Sequence, residues 1–258
     1  MPVNDIHLVS QRIQRVPARD VARLEKAMGS LPNGYRAFML RCGGAGELCS
    51  EIRVDPPQII LDEAEQARSW LTFENHGWRL RNVLEPEDWK DVWLVGSSVD
   101  GDRFLYFPQH PGALFNLWRS GDDVSMHKQG YEAPQRLTKG GTLRHPFPYF
   151  TPEGKQRAGH SFDYKPLSFT FPTRLSTMKL AKLAEQYWKR DKPICVRMPK
   201  KGYGDAVYLF VQRIGGLISF ARDEQNDPGE ACVQASYDKT CKKEVKTFEA
   251  EFRTMIQV

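Results

Sequence analysis

Apolar residues change their spacing along this chain, and each change marks a different kind of element. The densest stretch runs from Val92 to Trp118. Val92 to Ser97 is a near-continuous apolar run, the pattern of a strand buried on both faces. Asp100-Gly101 predicts a tight turn, because Gly adopts positive φ at no cost and Asp tolerates it better than most residues. Phe104 to Phe107 is the return strand. Pro111-Gly112 makes a second turn, and Leu114 to Trp118 is a third strand. An antiparallel meander this rich in large apolar groups needs a covering layer.

The preceding segments have the spacing to supply it. Ile6, Val9, Ile13 and Val16 recur at helical intervals, which predicts a short amphipathic helix over residues 5–15. Pro17 stands where a helix begins without losing a hydrogen bond. Val21, Leu24 and Met28 share a face of that second helix, and Gly29 ends it. Leu31-Pro32 opens a third helix with Tyr35, Phe38 and Met39 inward and Gly43-Gly44 as its stop. A strand from Glu47 to Val54 comes next, broken by Pro56-Pro57. Residues 60–71 read as helix, with Asp62 as N-cap and Ala64, Ala67 and Leu71 on one side. Residues 72–91 read as loop, and their Trp78 and Trp89 as packing over a core edge.

Taken in order, Leu24-Glu25, Leu31-Pro32, Tyr35-Arg36-Ala37-Phe38 and Gly43-Gly44 resemble the opening of the SUKH superfamily. That superfamily includes bacterial immunity proteins and fungal cell-wall assembly regulators. Val95-Gly96, Asp100-Gly101-Asp102 and Gly112-Ala113-Leu114 stand where its meander has its own turns and strands. The resemblance covers about residues 20–120. It implies an α+β fold, an antiparallel sheet with flanking helices, and no enzymatic activity. It also implies a cytoplasmic protein that binds and neutralises a cognate toxin, often a nuclease. The family's short closing helix is missing after Trp118.

In its place stands a segment rich in Pro, Gly and His. Residues 124–165 are too long for a bare loop inside one domain, so they read as a linker or as an arm draped over a domain. Phe147, Tyr149, Phe150 and Phe162 favour the arm, since a free linker rarely carries so many aromatics. The expected organisation is therefore a first unit at 1–123, this stretch, and a second, smaller α+β unit at 166–258. In the second unit Leu167 to Phe171 is a strand, and Leu180, Leu183, Ala184, Tyr187 and Trp188 mark a helix face. Ile194 to Met198 is a strand, and Val207 to Val211 with Leu217 to Phe220 form a hairpin around Gly215-Gly216. Val245, Phe248, Phe252, Met255 and Ile256 line a closing helix. Residues 101–119 align without gaps on residues 204–222, matching at Gly, Asp, Phe, Gln, Gly, Leu and Arg. Either this is a degenerate second copy, or two hairpins share the same turn grammar.

Composition sharpens the picture in one respect. The net charge of +5 conceals an acidic first unit, with 14 Lys+Arg against 18 Asp+Glu, and a remainder at +9. The two parts present different fields to a partner. No apolar run reaches the ~20 residues of a membrane span, and the N-terminus does not have the pattern of a signal peptide. Five cysteines with no CxxC pair read as reduced thiols.

No GxSxG, GxxxxGK[ST] or HExxH motif is present, no cofactor is expected, and the six histidines show no zinc spacing. His127, His145 and His160 share the Pro/Gly-rich stretch, where a spatial cluster is conceivable only in three dimensions. Asp100 and Asp102 read as turn residues rather than a cation loop. The expected partner-binding carboxylates are Glu85, Glu87, Asp88, Asp91, Asp122 and Asp123, all on loops flanking the meander. A regulatory scaffold would instead dock proteins or nucleic acid through Lys239, Lys242, Lys243 and Lys246, near the basic turn Lys200-Lys201-Gly202-Tyr203-Gly204. Lysines of this kind are commonly just a solvated face. A hydrolase with a site hidden from sequence is the third reading.

Overall fold

In the computed structural model, residues 3–10, 13, 15–43, 46–49, 51–71, 79–81, 83–119, 124–137, 149–152, 164–173, 175–200, 204–223 and 227–256 are described. The fold is α+β, built on two sheets. Helices α1 (Ala18–Met28) and α2 (Tyr35–Cys42) come where the apolar spacing places them. Val21, Leu24 and Met28 are buried on α1, as are Tyr35, Phe38 and Met39 on α2. Gly29 and Gly43 close the two helices at φ 81° and 79°.

The expected helix over residues 5–15 is not formed. His7–Leu8 is instead a strand, β1, paired in parallel with β8 (Tyr149–Pro152). The Val9 N–H donates to the Phe150 carbonyl at 3.1 Å. Arg41 of α2 donates to the carbonyls of Asn4 and Ile6 at 3.0 and 2.8 Å. Tertiary partners thus take the groups a helix would have paired internally, and Ile6 and Val9 are buried all the same. The single strand expected at 47–54 is a hairpin, β2 (Gly46–Leu48) and β3 (Ile52–Val54), which turns at Cys49 with φ 55°. The 60–71 helix is two short ones, α3 (Pro57–Asp62) and α4 (Ala64–Trp70). Asp62 closes the first of these rather than capping a helix, and accepts from Gln58 Nε2 at 2.6 Å.

The meander is formed by β4 (Trp93–Ser98), β5 (Arg103–Tyr106) and β6 (Leu114–Leu117). Strand β7 (Val124–His127) extends it, giving the order β1-β8-β2-β3-β4-β5-β6-β7. Both faces of this sheet are covered, which explains the near-continuous apolar runs. Phe104, Tyr106 and Leu114 face α1 and α2, whereas Leu105, Phe107, Phe115 and Leu117 meet Leu71, Leu80, Leu84 and Trp89. A Cβ on Gly96 would stand 2.4 Å from the Arg53 carbonyl, so only glycine lets β3 and β4 approach this closely.

Of the stretch read as a linker or draped arm, residues 124–137 and 149–152 are built into the first sheet and its core, and residues 164–165 begin β9 (Tyr164–Pro172) of the second. β7 and β8 are hydrogen-bonded strands of the first sheet, and Tyr131 and Leu137 lie in its core. The Tyr131 hydroxyl donates to the Val95 carbonyl at 2.8 Å, and Asn116 Nδ2 to the Leu137 carbonyl at 2.8 Å. The register of β4 shifts between Leu94 and Gly96. A bulge of this kind takes a carbonyl out of the ladder and leaves it for another partner.

The second sheet comprises β9 (Tyr164–Pro172), β10 (Ile194–Lys200), β11 (Gly204–Val211), β12 (Gly216–Asp223) and β13 (Asp227–Asp238), in the order β10-β11-β12-β13-β9. Helices α5 (Thr177–Tyr187) and α6 (Lys242–Ile256) cover one face, packing Leu180, Ala184, Phe248 and Phe252 against Val207, Leu209, Ile218 and Phe220. The opposite face gives Phe210 and Leu217 to the core of the first sheet, beside Ile6 and Val9. The two aligned hairpins differ in detail. Phe104 pairs with Asn116, but its aligned residue Val207 pairs with Phe220, one residue out of step. No described helix is long and apolar enough to cross a membrane.

Candidate functional site

The acidic segment is a 3-10 helix, Pro86–Asp91, directly after Glu85. With three residues per turn, positions i and i+3 eclipse. Trp89 and Val92 are so related, and both are buried against Leu84, Leu105 and Phe107. The anchor turns the remaining side chains outward: Glu85, Glu87 and Asp91 are exposed and Asp88 is half-buried. Asp91 also accepts from Gln109 Nε2 at 3.1 Å, which ties the segment to the loop between β5 and β6. Lys90 is its one cation. Some carboxylates elsewhere are paired, such as Glu25 with Arg36, Glu47 with Arg53 at 2.8 Å and Glu249 with Arg253 at 3.1 Å. Among the described residues, none of Glu85, Glu87, Asp88 or Asp91 is ion-paired. Asp122 and Asp123 lie outside the described residues.

The basic set gathers where α6 begins. Lys242, Lys243 and Lys246 are exposed and line an open depression of about 780 Å³ with Thr240, Thr247, Ala250 and the acidic Glu251. A helix N-terminus carries partial positive charge, so it gives these lysines no stabilisation of its own; Glu244 is the favourable residue of that turn. The side chain of Lys239 and residues 201–203 lie outside the described residues.

The aspartates of the Asp100-Gly101-Asp102 turn serve the hairpin. The buried Asp102 carboxylate accepts from Ser98 Oγ at 2.7 Å and from the Arg119 N–H at 2.8 Å. Among the described residues no group of three His, Cys, Asp or Glu converges on a metal position. His127 lies in β7; His145 and His160 lie outside the described residues. No disulfide joins the cysteines, and burial pushes the Cys42 thiol up to about 12.

Sequence reasoning missed a cavity of about 380 Å³ where the N-terminal segment meets the second sheet. Ser10, Asp191, Arg213, Gly215, Asp238 and Cys241 contribute to its wall, from segments too far apart in the chain for any motif to connect. Its polar groups are held by one another. Asp191 pairs with Arg213 at 3.1 Å, and the Arg213 guanidinium stacks 4.8 Å from the Trp188 ring. Asp238 Oδ1 accepts from the Thr240 N–H and hydroxyl at 2.9 and 2.8 Å, and the Cys241 thiol donates to the Arg213 carbonyl at 3.5 Å. A nucleophile needs a base within hydrogen-bond reach; here the thiol is directed at a carbonyl. No family model, curated protein or solved structure matches the chain.

Proposed function

We propose that the chain is a non-enzymatic protein-binding module that engages a basic partner through Glu85, Glu87, Asp88 and Asp91. The observation that carries this reading is the Trp89-anchored presentation of four carboxylates that have no ion pair among the described residues. Ordering long side chains at an interface costs entropy; short carboxylates on a pinned segment start with much of that cost already met. The resemblance to SUKH immunity proteins gives the partner its chemistry: a cytoplasmic toxin, and a nuclease in particular, whose phosphate cleft is basic. Charge complementarity would then set the on-rate and the register of the complex.

The test is association kinetics with the partner recovered by pull-down, at two ionic strengths. Reversing charge in Glu87→Lys with Asp91→Lys should slow association and flatten its salt dependence, because steering is screened over ~10 Å at 0.1 M salt. Folding should not change, since exposed carboxylates contribute little to stability. A second reading is favoured by one observation, the three exposed lysines at the N-terminal end of α6. If association ignores both salt and the acidic reversals but is lost on changing Lys242, Lys243 and Lys246 to Glu, the chain is a scaffold that docks through its basic half.

A further inference from the structure

A separate cavity of about 250 Å³ lies at the end of β7, lined by His127, Lys128, Gln129, Gly130, Ala133 and Arg136. We infer that it is a binding site for a small oxyanion of the phosphate class, taken up free or as the phosphate group of a small monoester.

Among its described lining residues Lys128 and Arg136 are cationic, His127 is an imidazole, and none is acidic. Glu132, the acidic residue of the same turn, runs its side chain beside Gly34, where its Cγ comes within 3.0 Å of the position a Cβ would take. Lys128 and Arg136 have no ion pair among the described residues, and His127 Nε2 is buried without a hydrogen-bond partner among them. A buried polar nitrogen left unpaired is costly; in the tautomer that carries its proton on Nε2, His127 donates to an anion, which also supplies acceptors for both cations. Burial first, and then the nearby Arg136 charge, hold His127 below its ordinary range.

The walls are fixed before any ligand arrives. Asn33 Nδ2 donates to the Lys128 carbonyl at 2.9 Å, and the Tyr131 N–H donates to the Asn33 carbonyl at 2.7 Å. The Asn33 N–H itself is held by the Gly112 carbonyl at 3.0 Å. Gly130 sits at φ 51°, and a Cβ there would meet the Asn33 carbonyl at 2.8 Å, so the turn closes only with glycine. Tyr131 is buried, and its hydroxyl reaches β4. Arginine matches phosphate geometry with two parallel N–H donors, and lysine adds a point charge. At ~30 Å³ per water the space holds roughly eight waters, enough for a phosphate with a small substituent.

The experiment titrates inorganic phosphate into the full chain and follows the His127 imidazole and the amides of 127–136 by NMR, against chloride at matched ionic strength. A second arm uses phenyl phosphate, and tighter binding there than for inorganic phosphate identifies a monoester as the ligand. Saturable shifts confined to this segment are expected with phosphate and absent with chloride. Arg136→Gln and Lys128→Gln should each weaken binding about tenfold or more, by loss of a charge-assisted hydrogen bond, with the unfolding midpoint unchanged because both side chains are exposed. Equal shifts with chloride, shifts centred on Lys242, Lys243 and Lys246, or full binding by the double variant would each overturn the assignment.

Discussion

Phe104 shows how much one buried side chain can decide. It is fully buried in the core under the helical layer, and Trp93 of the same core is 7% exposed with Arg68 stacked 5.0 Å from its ring. Truncating either to Ala should destabilise the fold by ~3–5 kcal/mol, through lost transfer energy plus the cavity left behind. Urea midpoints unchanged within error would refute that core placement. His7 carries a different signature. Its ring meets Phe210 edge-on at 5.5 Å, and burial lowers its pKa. Below the ordinary imidazole value of about 6.5, the unfolded chain therefore binds protons that the folded chain resists. Stability should be undiminished above that pH and fall as pH drops through it. Urea midpoints at pH 7.5, 6.5 and 5.5 test this: the wild type should lose stability at the acid end, and His7→Gln should lose less.

Among the elements, helices were the most legible and strands at the edges the least. The Val21-Leu24-Met28 and Leu180-Ala184 spacings locate α1 and α5 because a buried helical stripe demands them. The start of α5 is set by Ser176, whose Oγ accepts from the Lys179 N–H at 3.3 Å. Ser176→Ala should cost ~0.5–2 kcal/mol as that donor loses its cap. A midpoint shift no larger than that of an exposed mid-helix substitution such as Lys182→Ala would show that the cap contributes nothing. Strand β13 went unread, although Ala231, Val233, Ala235 and Tyr237 are buried at alternate positions, the period-2 signature of a strand. Its Asp, Pro and Gly at one end hid the alternation. β1 and β8 were beyond pattern reading: the described paired segments are two and four residues long, and their partners lie more than a hundred residues away.

For the whole molecule, the second sheet acts as a middle layer. Val207, Leu209 and Val211 face α5 and α6, while Tyr208 and Phe210 on the same strand face the first core. A strand that serves two cores couples them. Phe210→Ala should therefore cost ~3–5 kcal/mol and shift both halves together, in one transition seen alike by tryptophan fluorescence and far-ultraviolet circular dichroism. Two separated transitions, with only one moved by the substitution, would mean that the halves fold independently. The candidate surfaces obey the same logic of scale. The acidic segment was legible because its residues are contiguous, and Trp89 among them reads as a packing residue from its size alone. The cavity at the end of β7 was not legible, because Asn33 and Gly112, which hold its turn, are distant in the chain.

The sequence by itself determined the class of fold, the two main helices before the meander, the meander and its turns, and where charge collects. These depend on local rules: a 3.6-residue or two-residue apolar period, a glycine at positive φ, a proline at a boundary. Tertiary structure alone decided that residues 7–8 run as a strand, that 124–137 and 149–152 belong to the first sheet, and that Phe210 joins the N-terminal core. Each depends on backbone groups or apolar faces finding partners far along the chain. The same spacing of Ile6 and Val9 satisfies a helix or a bent extended segment; the carbonyl of Phe150 and the guanidinium of Arg41, where the fold places them, select the second.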